Sequence, residues 1–258
     1  MTGTRDDSQH SSRELDIIRA FVDLSNELVD EYDVVDMLAR LTANCAGLLD
    51  VASAGLLLAD ARGVLHLVAS SSERAHHLEI FQLQRDEGPC LDCFHTREAV
   101  VVPDLAVEEE RWPQFARAAR SVGFQSVHAL PMRLHDAVLG TLGLFGDDPG
   151  RLEDDDLALA QALVHVASVA IVNEKSAADR ATINSQLHLA LTSRIGVEQA
   201  KGVIAQVGSL GMDDAFAVLR RYARDKGRKL SDVAADIAAR ELSGEVVLAH
   251  ARAVALLP

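Results

Sequence analysis

The sequence predicts an α+β fold for the first two-thirds of the chain, followed by a long connector helix and an all-α bundle of three helices. Two pairs of short segments rich in Leu and Val, each pair separated by a turn, indicate β-hairpins. Stretches with apolar residues at helical spacing flank them. Because the hairpins occur without repeated βαβ units, we expect a central antiparallel sheet covered by helices.

The first two helices are predicted from apolar periodicity. Residues 1–12 are polar, and we expect a disordered tail there. One helical pattern follows this tail, and a second spans residues 34–48 with Asp33 as its N-cap. The apolar positions of the first pattern are Leu15, Ile18, Phe21, Val22 and Leu28.

Two hairpins frame the rest of the first domain, which we place at residues 13–173. Segments 54–59 and 64–70 form the first hairpin, and Gly63 supplies the positive φ that its loop needs. Segments 125–133 and 137–145 form the second. The predicted order between them is helix 73–84, a loop after Gly88-Pro89 that contains Cys90 and Cys93, strand 99–102, and helix 109–122.

The stretch 153–206 contains no proline and opens on acidic residues, which suit the positive end of a helix. It predicts one long helix, or two helices with a break. The apolar stripe in its first part is expected to pack on the sheet. A second, shorter stripe, formed by Leu187, Leu191 and Ile195, favours a dimer seam.

Charge is distributed unevenly along the chain. The net charge is −14, but residues 180–258 carry 11 Lys and Arg against 8 Asp and Glu, so the net charge is +3 there and −17 over residues 1–179. The acidic total opposes nonspecific nucleic-acid binding by the whole surface. The two parts therefore differ in kind.

Hydropathy and cysteine content indicate the compartment. No segment reaches the roughly 20 apolar residues that a membrane span needs, and the N-terminus lacks the apolar run of a signal peptide. We therefore expect a cytoplasmic protein with reduced thiols. Its three cysteines cannot form a closed disulfide framework.

Residues 174–243 are predicted to form a three-helix unit, with residues 244–258 as a tail. Gly208 and Gly211 separate the long helix from the next one, and Gly211 serves as an N-cap. The apolar faces of the second and third helices can share one core. Their positions are Ala215, Phe216, Leu219, Tyr222 and Ala223, then Leu230, Val233, Ala234, Ile237 and Leu242.

A cluster of cations lies outside that core. We name it the basic ridge, and its members are Arg220, Arg221, Arg224, Lys226, Arg228 and Lys229. Arg194 and Lys201, two helical turns apart on the preceding helix, extend it. Such groups neutralise phosphates, and Arg also hydrogen-bonds to bases or stacks on them. A solvated helix face would explain the same pattern.

Four motifs fall in this unit: EQAKG at 198–202, AF at 215–216, LRRYA at 219–223 and RKLSDVA at 228–234. In order and spacing they resemble the ANTAR domain, the RNA-binding module of bacterial transcription antitermination regulators. The resemblance implies a three-helix bundle that binds paired RNA hairpins in a leader transcript and opposes a terminator. The RNA-binding residues that it implies are Lys201, Arg220, Tyr222, Arg228 and Lys229, and the basic ridge adds Arg221 and Arg224. Tyr222 suits either core packing or base stacking.

The segment 71–105, which begins SSERAHHLEIF and contains GPCLDCFH, resembles GAF domains that are fused to ANTAR domains. The likeness extends over residues 31–173. It implies a PAS-like antiparallel sheet with helices. GAF domains differ in whether they bind cyclic nucleotides, haem, other small molecules or nothing, so a small-molecule ligand in this GAF domain stays open. His76 and His77 are expected to be exposed, and Trp112-Pro113 is expected to form a packing corner.

Cys90 and Cys93 form a CxxC pair. If a short helix begins at Leu91, its amides would lower the thiol pKa, which would suit a redox-active pair. Two other interpretations remain open. The thiols are structural, or they belong to a metal site completed by His95, His128 or His135.

Together these observations predict a non-enzymatic regulator, a homodimer without membrane contact, in which a GAF sensor controls an ANTAR domain that binds RNA. The sequence contains no GxxxxGK[ST], GxSxG, HExxH or GxGxxG motif. One alternative is a signalling protein or thiol-redox sensor that acts through protein partners without binding RNA. Another is DNA binding, for which the basic ridge is short.

Overall fold

The computed structural model describes residues 6–26, 33–172, 180–254 and 256. Within these ranges the chain forms, in order, α1 (Asp6–Asn26), α2 (Val34–Leu48), β1 (Ser53–Ala59), β2 (Leu65–Ser70), α3 (Glu73–Arg85), α4 (Pro89–Thr96), β3 (Val100–Val102), a 3₁₀ turn (Leu105–Val107), α5 (Pro113–Ser121), β4 (Ser126–Leu134), β5 (Ala137–Gly146), α6 (Asp154–Val172), α7 (Arg180–Gly208), α8 (Met212–Asp225), α9 (Leu230–Ala238) and α10 (Gly244–Ala253). Leu28, the interval 173–179 and the side chain of Leu187 lie outside the described part.

The five strands form one antiparallel sheet in the order β2-β1-β5-β4-β3, which confirms the predicted α+β class. Both predicted hairpins are present, and Gly63 has a φ of 81° in the first loop. Side chains alternate between the two faces of a strand, so that Leu56 points to one layer of helices and Leu57 to the other. As a result, β1 is buried along its whole length.

Helices cover both faces of the sheet. On one face, α1, α2 and α6 surround an aliphatic core that includes Leu38, Leu142 and Leu163. The prediction that the apolar stripe of α6 packs on the sheet is therefore confirmed. On the opposite face, α3, α4 and α5 enclose a core that contains Phe115 and Phe145, both fully buried.

The C-terminal helices have a core of their own. The C-terminal half of α7 packs with α8, α9 and α10 around apolar side chains such as Ile204, Leu219 and Ile237. Val35, from the first turn of α2, also belongs to this core. The two parts of the chain are therefore joined by buried apolar contact as well as by sequence.

Both predicted tails contain helical residues. The first helix begins at Asp6, inside the predicted tail 1–12. At the other end, most of 244–258 forms α10, because Ser243 caps it and accepts a hydrogen bond from the Glu245 amide at 3.2 Å. Val247 and Ala251, one helical turn apart, are buried against α7 and α8.

The predicted loop around the CxxC pair is also wrong, since these residues form α4. Gly88 turns the chain at a φ of 151°, a conformation open mainly to glycine. Pro89 follows at the first helical position, where its missing N–H costs no hydrogen bond. The same rule starts α5 at Pro113 rather than at 109. Trp112 is buried, as the predicted packing corner requires.

One carboxyl group, that of Glu79, is fully buried against the sheet beside α4. Gly55 and Gly143 pair across β1 and β5, and a Cβ at either would lie 2.7 Å from the Glu79 carboxyl, so the two glycines leave the space it fills. Gln82 and Cys90 donate hydrogen bonds to its oxygens. Burial raises the pKa of Glu79 to about 8, so this group is protonated at neutral pH.

Gly140→Ala should destabilise the sheet. A Cβ at this position of β5 would collide with the carbonyl oxygen of Leu57 on the paired strand, and backbone cannot move aside as a side chain can. We expect a loss of about 1–3 kcal/mol in the free energy of unfolding, measured by urea denaturation. Gly47→Ala is the control, because that exposed position in α2 has nothing within 4 Å and helix propensity favours alanine. Equal stability of the two variants would contradict the β1–β5 register.

Glu79→Gln should change how stability depends on pH. Folding raises the pKa of Glu79 from 4.5 to about 8, so between these values the folded protein holds a proton that the unfolded chain has lost. The wild type should therefore lose stability as pH rises through this window, by roughly 3 kcal/mol relative to Glu79→Gln between pH 5 and pH 8. Urea unfolding of both proteins across this range measures the difference. Parallel stability profiles would show that the carboxyl is not held protonated.

Candidate nucleic-acid interface

Helix α8 displays cations because its apolar residues occupy one face. Val218, Leu219 and Tyr222 are buried in the C-terminal core. Arg224 is exposed on the opposite side of the helix, and Arg221, three residues before it, is partly exposed at the edge of the apolar face. As predicted, Gly211 is the N-cap, without a side-chain hydrogen bond.

The loop between α8 and α9 brings further cations to the same place. Gly227, with a φ of 60°, turns the chain after α8, and Lys229 is the N-cap residue of α9. A pocket of about 360 Å³ lies at this turn. Its charged lining combines five cations with two carboxylates: Arg40, Arg220, Arg224, Arg228, Lys229, Asp33 and Asp36.

Four predicted RNA-binding residues stay accessible. Arg224 and Lys229 are exposed. Arg221 Nε lies 2.7 Å from Asp225 Oδ2, and Arg228 Nη1 lies 2.8 Å from Asp236 Oδ2, with both arginine side chains over a third exposed. Ion pairs this exposed contribute little, so either arginine can exchange its carboxylate for a phosphate at small cost.

Lys201 and Arg220 are placed differently from the prediction. Lys201 is only 7% exposed, and its Nζ lies 3.2 Å from Glu198 and 3.7 Å from Glu73 of α3. Arg220 Nε lies 2.8 Å from Asp36 of α2. The first domain therefore occupies both cations in this conformation.

Arg194, which was expected to extend the basic ridge, and Tyr222, an expected RNA-binding residue, are also placed differently. Arg194 is 9% exposed and hydrogen-bonds to His76 Nδ1 at 3.3 Å, so it belongs to the contact between domains. His76, expected on the surface, is half-buried there, whereas His77 is exposed. Tyr222 packs in the core with its ring nearly perpendicular to that of His250, which favours packing over base stacking.

The CxxC pair differs from the expected reactive thiols. Cys90 and Cys93 are both buried on α4. Burial raises the pKa of Cys90 well above its usual range and raises that of Cys93 to about 12, the reverse of the expected lowering. Thiols in this state are poor nucleophiles. The geometry favours the structural interpretation.

Two residues that matter at this interface were not among the predicted site residues. Asp33 was expected only to cap α2, yet one of its oxygens also accepts a hydrogen bond from the Ser231 amide of α9 at 2.6 Å. Asp36 was not singled out at all. The sequence signal was the acidic start of α2, but local pattern cannot identify a partner 198 residues away.

Neither a group of metal-ligating side chains nor a helix of membrane-spanning character occurs in residues 6–26, 33–172, 180–254 and 256. In that part of the chain, no three His, Cys, Asp or Glu side chains are grouped so as to hold a metal ion. In the same part, no single helix has the length and hydropathy to cross a membrane. One pair of helical segments, Leu191–Gly208 and Met212–Asp225, has them only in combination, and the pair is bent by 108°.

Comparison with solved structures finds GAF domains of similar fold. The GAF domain of a phosphoenolpyruvate-protein phosphotransferase from Coxiella burnetii is 14% identical, with a TM-score of 0.48 over 61% of this chain and 93% of that one. The corresponding Acinetobacter domain is 16% identical, with a TM-score of 0.47 over 59% and 90%. Likeness at this level carries no argument about function. A search of curated proteins found no match.

Family models match the chain twice in succession. The GAF domain model matches residues 31–172, more than half of the chain, and the ANTAR domain model matches residues 185–237. GAF domains are sensors and ANTAR domains are RNA-binding antitermination modules, and neither is a catalytic domain. The chain therefore belongs to the GAF domain family, and an ANTAR domain follows its GAF domain in a two-domain GAF-ANTAR arrangement.

Proposed function

We propose that this chain is a transcription antitermination regulator whose ANTAR domain binds hairpins of a leader RNA under the control of the GAF domain. The observation that carries the proposal is the exposed part of the basic ridge. Arg221, Arg224, Arg228 and Lys229 surround one turn between α8 and α9, beside a pocket with a net positive lining. A small cationic surface of this kind suits RNA loops better than a duplex groove.

The chemistry follows from the side chains present. Guanidinium groups donate two parallel hydrogen bonds to a phosphate, and they also stack on unpaired bases. Lys229 adds a point charge at the start of α9. Recognition of two hairpins would need two such surfaces, so the proposal includes a homodimer that acts in the cytoplasm.

Control by the GAF domain is supported by where that domain touches the ANTAR domain. Its acidic residues pair with Lys201 and Arg220, two residues implied in RNA binding. A small molecule that alters the GAF domain would change how many cations RNA can reach. In this way the sensor would act on RNA binding without touching RNA.

Arg228→Ala should weaken RNA binding through the loss of one phosphate contact. The Arg228 guanidinium is exposed, and its Asp236 partner lies within the same domain, so the substitution does not disturb the domain contact. The slope of log K against log salt concentration should become shallower by about 0.7–1. Fluorescence anisotropy of a labelled synthetic RNA with two short hairpins, titrated at several salt concentrations, measures this slope.

Arg117→Ala is the matched control, because Arg117 is an exposed arginine of the GAF domain on α5. It should leave both affinity and slope unchanged. If Arg228→Ala and Arg224→Ala both bind this RNA with the slope of the wild type, the basic ridge is not the RNA-binding surface. Capture of a protein partner instead of RNA would then support the signalling alternative.

A further inference from the structure

The carboxylate of Asp33 connects the starts of two helices in different domains. Its Oδ1 accepts hydrogen bonds from the amides of Val35 at 2.9 Å and Asp36 at 3.3 Å, which caps α2. Its Oδ2 accepts from the amide of Ser231 at 2.6 Å, in the first turn of α9. The N-cap residue of α9 is Lys229, whose side chain makes no capping hydrogen bond. The GAF domain therefore supplies an anion to the ANTAR helix.

Asp36 supplies a second anion one helical turn further on. Its Oδ1 lies 2.8 Å from Arg220 Nε, and its Oδ2 lies 3.3 Å from Arg40 Nε. Both carboxylates line the pocket that Arg224, Arg228 and Lys229 also line. The two acidic groups of the GAF domain thus enter the most basic part of the ANTAR domain.

This arrangement has the chemistry of a site for backbone phosphate. A helix N-terminus with exposed amides attracts anions, and arginine and lysine side chains around it add full charges. A carboxylate is the protein group that most resembles a phosphate oxygen in charge and acceptor geometry. The amide of Ser231 donates to Asp33, and the guanidinium of Arg220 forms an ion pair with Asp36, so the carboxylates occupy both cationic or donor groups of this site.

We propose, on the basis of the RNA-binding function above, that Asp33 and Asp36 compete with RNA backbone phosphates for one anion-binding site formed by the start of α9 and Arg220. We call the conformation of this structure, in which these aspartates occupy the site, the closed form. In it the aspartates hold α2 against the ANTAR domain. RNA takes the site when α2 moves away. The same basic surface therefore has two mutually exclusive partners, the start of α2 and RNA.

Loss of hydration limits the stability that the contact gains from charge. Burial raises the pKa of Asp36 above its usual range although Arg220 lies beside it, so loss of hydration offsets part of the ion pair. Charge pairs of this kind fix position more than they add stability. The apolar contribution from α2 to the ANTAR core comes from Val35.

The test uses the full chain with Asp33→Ser and Asp36→Asn, singly and combined. Serine still caps α2 with its one oxygen but lacks the second oxygen that reaches Ser231, so α2 should stay folded. Asparagine keeps the shape of Asp36 without its charge. The control combines Glu110→Gln with Asp136→Asn, which removes two charges from exposed positions of the GAF domain outside the interface. It corrects for a general gain in attraction to RNA.

Two measurements separate the outcomes. Anisotropy with the labelled two-hairpin RNA should show tighter binding by about fivefold or more for the double variant, with the control within twofold of the wild type. Hydrogen exchange at the Ser231 amide should accelerate in Asp33→Ser without RNA.

Binding that is equally tight in the wild type, the control and the double variant would overturn the competition while leaving the RNA-binding function intact. No RNA binding by any variant would overturn that function, and the competition with it. Unchanged exchange at Ser231 in Asp33→Ser would overturn the Asp33 contact itself.

Discussion

At the start of α2, acidic side chains of the GAF domain contact a helix N-terminus and an arginine of the ANTAR domain. The packing of the two domains against each other depends on this contact. Residues 1–179 carry a net charge of −17 and residues 180–258 carry +3, yet the contact is local and specific. Asp33 binds an amide of α9, Asp36 binds Arg220, and Glu73 lies near Lys201. Under the proposed function RNA would use the same partners, so the acidic domain and the nucleic acid would compete for one surface.

Helix α2 is placed to transmit a change from the sheet to that surface. Its side chains Leu38 and Leu41 are fully buried in the core on one face of the sheet. One turn earlier, Val35 packs in the core of the ANTAR domain. A shift of α2 by even a fraction of a turn would disturb both cores, because packed interiors do not deform continuously. The opposite face of the sheet carries a separate core, which contains buried aromatic residues, and Glu79 is buried on that side.

The sequence predicted most of the architecture because its signals are local. Short segments rich in Leu and Val, Gly63 in a turn, and helical stripes in α6 and α8 each depend on a few neighbouring residues. The errors came from equally local features that were undervalued. Pro89 and Pro113 start helices, and Ser243 caps α10, so a loop and a tail proved to be helical.

The site was harder to predict because it is made by pairs distant in sequence. Helical periodicity places Arg221 and Arg224 on the outer side of α8, and Arg228 and Lys229 are exposed in the turn that follows. Lys201 and Arg220 carry the same charge and fit the same pattern, but Glu73 of α3 and Asp36 of α2 also lie beside them. Charge and spacing show that a cation can reach a phosphate. They do not show that the cation is already paired with a carboxylate from another domain.

The most direct test of the account is a distance measurement between the domains in the presence of RNA. Spin labels at Glu110→Cys in the GAF domain and Ala235→Cys in α9 occupy exposed positions, whereas the native thiols are buried. Pulsed dipolar spectroscopy should give one short distance between the two labels without RNA. At saturating two-hairpin RNA this distance should become longer. An unchanged distribution in protein shown to be RNA-bound would contradict the exclusion of RNA by the closed form.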